Sequence, residues 1–238
     1  MSTYVYGITH EGCALPEGLT GVGEPPCPVR LVTGSGLAAV VSDCPEDLRP
    51  KRRDLLAHQR VLSEAGRAAA VLPLRFGSVS EGDEDVLDTL SRNADRYRSQ
   101  LERLSGRVEY NVKAVHDEEA VLHLVLAEDA RLRALAEANR KAGGGSYEDR
   151  LRFGEQVAEA VRSREAWDAD LVRDTLEPLA EGCRPGPESG GWFLNLSFLL
   201  AEPAAERLVT TADRLRRAHP QLDLTVTGPL PPYSFVDS

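Results

Sequence analysis

Residues 106–115 read GRVEYNVKAV. In an extended chain Val108, Tyr110, Val112 and Ala114 share one face, and Glu109, Asn111 and Lys113 share the other. That two-residue period predicts a strand. It also divides the chain. Upstream, TYVYGI (3–8), VRLVT (29–33) and LAAVVS (37–42) read as strands, the last two joined as a hairpin by GSG, whose glycines accept positive φ. Two helical patterns follow. From Arg52 to Ala70, the residues Leu55, Leu56, Gln59, Leu62, Ala65 and Ala69 define the expected inner face. From Asp85 to Leu104, Val86, Leu90, Ala94, Tyr97, Leu101 and Leu104 make a stripe. Downstream comes an Ala- and Leu-rich helix ending at Lys141. AGGGS follows, then a helical region from Tyr147 to about Glu181 and a loop, RPGPESGG (184–191). WFLNLSFLL (192–200) is a strand, 203–220 a helix with proline at its first turn and just past its end, and LDLTVTG (222–228) a strand.

The fold class expected is α+β. Two domains, each a small sheet with packed helices, occupy residues 1–105 and 106–238, the second a modified ferredoxin-like arrangement. The C-terminal GPLPPYSFV is expected to act as a stiff strap that lays Tyr233 and Phe235 back onto the protein.

Composition narrows the function. The 238-residue chain has a net charge of −10, which argues against phosphate-backbone recognition and so against nucleic acid. No apolar run is long enough to span a bilayer, and MSTYVYGI passes straight into a strand without a basic leader, so a reduced cytoplasm is the expected setting. Cys13, Cys27, Cys44 and Cys183 form no C-x-x-C pair, so no metal or other cofactor is expected. No nucleophile elbow, Walker loop or H-E-x-x-H occurs. The Gly143–Gly145 run follows a helix, which suits a helix-to-helix connection better than a phosphate cradle.

The densest local signal is VLPLRFGSV (71–79). Pro73 excludes a helix centre and a central ladder donor. Arg75, between Leu74 and Phe76, is either an anion anchor or, as expected here, a buried guanidinium tying loops together. Glu109 and Lys113 read as a solvated face or an ion pair with a neighbouring strand, in preference to an acid/base pair. The basic clusters RPKRR (49–53) and RLRR (214–217) read as solvated helix faces or partners of local acids.

TYVYGI, VLPLRFGSV, EYNVK, LNLSFLL and GPLPPYSFV occur in this order. Together they resemble the gas vesicle protein F/L family (GvpF/GvpL) over essentially the whole chain, the pairing of LPLRFG with a terminal GP-x-PPYSF being the specific part. The resemblance implies a non-enzymatic accessory protein of gas vesicle formation, cytoplasmic or on the vesicle. It would be a minor shell component or an assembly factor. Its implied partners are the very apolar major shell protein and other accessory proteins. The signature positions are Pro73, Arg75, Gly77, Glu109, Lys113, Pro231, Pro232 and Tyr233. An alternative reading is an enzyme or ligand-sensing module using His58 and Arg75 in a cleft between the domains.

Overall fold

The computed structural model describes residues 2–187 and 191–237. The chain divides into two compact units, Met1–Glu109 with Gly228–Ser238, and Tyr110–Thr227. The tail, expected with the second half, therefore belongs to the first unit.

In the first unit β1 (Thr3–His10) is flanked by β3 (Leu37–Asp43) and by the short β4 (Val71–Pro73), while β2 (Arg30–Gly34) lies outside β3. All these pairings are antiparallel. The hairpin closes at Gly34 opposite Leu37, and Ser35 (φ 57°) and Gly36 (φ 73°) form its turn, the left-handed pair that a two-residue hairpin needs. Pro73 sits on the edge strand, where its missing N–H leaves no gap in the ladder. A further two-residue strand, β5 (Val79–Ser80), pairs with the start of β1.

Helix α1 (Arg52–Ala68) is present, but its register differs from the expected one. Asp54, His58, Val61, Leu62 and Ala65 are buried, whereas Leu55, Leu56 and Gln59 face solvent. The reason is that Asp54 and His58 find buried hydrogen-bond partners, so two polar residues take inner positions from two leucines. The predicted single helix over 85–104 is two helices, α2 (Asp83–Arg92) and α3 (Ala94–Leu104), interrupted at Asn93 (φ −114°, ψ 15°). Val86, Leu90, Leu101 and Leu104 are buried as expected.

In the second unit the strand order is β7 (Gly182–Pro185), β8 (Leu194–Ala201), β6 (Arg107–His116) and β9 (Leu222–Leu230). β7 takes Arg184 and Pro185 out of the expected loop, and positions 188–190 of that loop lie outside the described residues. Helices α4 (Glu118–Glu128) and α5 (Ala130–Lys141) meet at Asp129, whose carboxylate accepts from the amides of Arg131 and Leu132 and starts α5. Gly143, Gly144 and Gly145, all with positive φ, turn the chain from α5 into the 30-residue α6 (Tyr147–Leu176), which opens with a capping box between Ser146 and Asp149. Helix α7 (Ala205–Ala218) precedes β9. The core of this unit is built from Val112, Phe198, Leu200, Val172, Leu176 and Leu208, each fully buried.

Candidate functional site

The turn after β4, Leu74-Arg75-Phe76-Gly77, is fastened by a chain of hydrogen bonds with one consistent direction. The His58 Nε2 lies 3.1 Å from the Leu74 carbonyl, which can only accept, so Nε2 carries the proton. Its Nδ1 then accepts from the Tyr4 hydroxyl at 2.8 Å. The Tyr4 oxygen in turn accepts from the Gly77 amide at 3.2 Å. Gly77 has φ 90°, a conformation that side chains resist, and this backbone aims the amide at Tyr4. Burial keeps His58 neutral, its pKa below the ordinary value, with the Leu74 contact acting weakly the other way. Burial also pushes the Tyr4 and Tyr6 phenols well up. The rings of Tyr4, Tyr6, His58 and Phe76 stack edge-on or tilted, with centroids 4.8–5.9 Å apart. Beside them the Tyr6 hydroxyl accepts from the Val22 amide and meets Ser42 Oγ at 3.0 Å, while buried Asp54 accepts from the Gly23 amide.

The tail closes the same cluster. Pro231 is half-buried and Pro232 buried, and they lead into a single 3-10 turn, Tyr233–Phe235. Tyr233 packs on the Tyr4–Tyr6 core and Phe235 is 4% exposed. Burial pushes the Tyr233 phenol up to about 12, and the nearby Glu109 carboxylate adds to the shift. Glu109 is itself buried and takes two donors from Ser234, the amide at 2.8 Å and the hydroxyl at 2.7 Å. Gln100 exchanges both amide hydrogen bonds with the Asp237 backbone, and Arg103 bonds the Phe235 carbonyl and the Asp237 carboxylate. The two aromatic rings of the tail are thus part of the fold.

Two sequence expectations need correction. Arg75 is exposed, and its guanidinium has no hydrogen bond or ion pair among the described residues, so it ties no loops together. Glu109 is not on a solvated face; the strap covers it. Lys113, on the same strand face by spacing, lies 5.0 Å above the Trp192 ring and takes no part in the Glu109 contact. Gly77 and Tyr233 meet the Tyr4–Tyr6 cluster together with His58, and Glu109 meets the tail through Ser234.

Sequence reasoning missed a second constellation, within the second unit. The Asp168 carboxylate is fully buried and receives both Nε and Nη2 of Arg164 at 2.9 Å, Nε2 of His116 at 2.9 Å and the Gln221 amide at 3.2 and 3.3 Å. Burial alone would raise its pKa; these donors outweigh it and hold the carboxyl below the usual range. Arg164 stacks 4.2 Å over Trp167 at the side of an open cleft of about 1280 Å³. The four-residue spacing of Arg164 and Asp168 was legible, but it is also the spacing of ordinary surface pairs. Among the described residues no group of three or more His, Cys, Asp or Glu could hold a metal ion, and no helix is long and apolar enough to cross a membrane.

Residues 2–237 match the family model described as gas vesicle synthesis protein GvpL/GvpF. The chain belongs to the GvpL/GvpF family. It is 56% identical to gas vesicle protein F of Streptomyces sp. (strain CB03234) over the full length of both chains. Gas vesicle protein L of the same strain is 30% identical, with 98% of this chain and 91% of that protein covered. Gas vesicle protein L1 of Halobacterium salinarum is 26% identical, with 98% and 89% covered. In fold, the chain is similar to the crystal structure of GvpF from Anabaena sp. PCC7120, with a TM-score of 0.78, 24% identity and 100% and 98% of the two chains covered. This GvpL/GvpF chain therefore comes from a family of gas vesicle formation, and its α+β architecture is that of solved GvpF structures.

Proposed function

We propose that the chain is a non-enzymatic accessory protein of F type. In this reading it works in gas vesicle formation as a minor shell component or assembly factor that contacts the major shell protein and other accessory proteins. The assignment to F rests on its identity of 56% to protein F against 30% to protein L of one strain. We take the two units as two domains. We read the second as ferredoxin-like, which is supported by its strand order β7–β8–β6–β9 and its strand–helix–strand–strand–helix–strand sequence.

One observation carries the non-enzymatic reading. His58, the residue that a catalytic alternative requires, is 4% exposed and has both ring nitrogens committed, one to Tyr4 and one to Leu74. A group so placed holds a turn, which supports a structural role for it over proton transfer to a substrate. What the turn offers outward is Arg75, exposed and unpaired among the described residues, and Val79 on the nearby edge strand β5, 49% exposed. An exposed strand edge with an adjacent apolar side chain is suited to hold an apolar subunit before incorporation. The test is co-purification with the shell protein. Wild-type chain should retain it, and Arg75→Glu/Val79→Asp should reduce retention at least about tenfold, about 1.4 kcal/mol. Failure of the wild type to retain the shell protein, while other accessory proteins do, would refute this reading.

A further inference from the structure

The register of α1 leaves Leu55 and Leu56 43% and 56% exposed. They lie in a stripe, Arg52, Leu55, Leu56, Gln59 and Arg60, recurring at three and four residues and continued seven residues on by Gly66 and Arg67, on the side opposite Asp54, Val61 and Ala65. No carboxylate lies on that stripe; Glu64, at its flank, pairs with Arg67. From Asp47 to Arg67 the chain has six basic and three acidic residues, against a net −10 for the whole. Single exposed leucines are ordinary, but two side by side between arginines make a cationic apolar surface.

Helix α2 carries the counterpart. Glu84, Leu87 and Asp88 face solvent with the same three- and four-residue spacing, and Leu87 is 37% exposed. Residues 81–91 contain five acids and no base; Arg92, which ends the helix, lies 3.9 Å from the exposed Asp88 carboxylate.

We propose that the α1 stripe docks the α2 face of a second copy of this chain. Leu55 and Leu56 cover Leu87, while Arg52 and Arg60 meet Glu84 and Asp88. The two surfaces differ, so the contact is heterologous and each copy keeps one face of each kind available for the next. The apolar area is small, so the association is weak, and its charges set specificity and salt dependence. This inference does not depend on the shell-protein reading.

Sedimentation equilibrium of the purified full chain tests it. At about 20 mM salt the weight-average mass should rise with concentration, and at about 1 M salt, where screening is nearly complete, it should return to the 25.9 kDa monomer. Arg52→Glu/Arg60→Glu and Glu84→Arg/Asp88→Arg, all at solvent-facing positions, should each stay monomeric with unchanged circular dichroism. Mixed one to one, they should associate again, because each now supplies the face the other lost. A wild type that stays monomeric at low salt, as it would if the stripe served only an acidic segment of another protein, overturns the proposal. So does a mixture that stays monomeric.

Discussion

At the residue scale the most informative position is His58, because it is polar, buried and fully bonded. Its folded pKa lies below the ordinary 6.5. The unfolded chain therefore binds more protons in the window from about 6.5 down to the folded value, and stability falls as pH falls through it. Protonation would also make Nδ1 a donor toward a Tyr4 oxygen that already accepts from Gly77, leaving the phenol proton without an acceptor. His58→Gln should be less stable at neutral pH and should show a flatter loss of stability below about pH 6.5, read by urea unfolding across pH. An unchanged slope would remove His58 from the account. Tyr4→Phe leaves the buried His58 nitrogen and the more exposed Gly77 amide without their partner, a loss of about 1–3 kcal/mol that comes mainly from His58. Gly21 faces the Tyr6 hydroxyl so closely that a Cβ there would overlap it, so Gly21→Ala should also destabilise the first unit.

At the scale of elements, the strap and α1 show what local pattern can and cannot reveal. β6, β9 and the β2–β3 hairpin were legible because alternation and turn glycines are local signals. The inner face of α1 was not, because its selection of Asp54 and His58 depends on Gly23, Tyr4 and Leu74, which lie on other segments. Helix α4, EEAVLHLVLAE, is apolar nearly all round and offers no stripe to read. The proline-rich tail was legible as something that turns back, yet its anchor was not, since Ser234 and Glu109 are 125 positions apart. Ser234→Ala should cost roughly 1–3 kcal/mol, because a buried carboxylate loses a charge-assisted donor. Phe235→Ala should cost roughly 3–5 kcal/mol by emptying a core site. Hydrogen exchange of the β1 amides should accelerate in both variants; protection equal to wild type would mean that the tail is dispensable to the first unit.

At the scale of the whole molecule, the only two tryptophans, Trp167 and Trp192, both lie in the second unit, so their fluorescence follows that unit alone. Asp168→Ala removes the acceptor shared by Arg164, His116 and Gln221, and leaves the Arg164 guanidinium, whose side chain is 12% exposed, with the exposed Glu128 as its remaining carboxylate partner. The tryptophan transition should shift to lower urea by an amount equivalent to about 3–5 kcal/mol. A shift under about 1 kcal/mol, the scale of an exposed pair, would show the network to be solvated in solution. The first unit is also discontinuous, and this bears on how the protein is made. Its opening strand is translated early, but residues 228–237 leave the ribosome only after all of residues 110–227. Throughout that interval Glu109 and the Tyr4–Tyr6 cluster lack their cover. Nascent chains arrested near residue 227 should therefore be cut by protease in the first unit far faster than released full-length chains. The tail from residue 228 to 237 thus acts as a completion mark for the first unit.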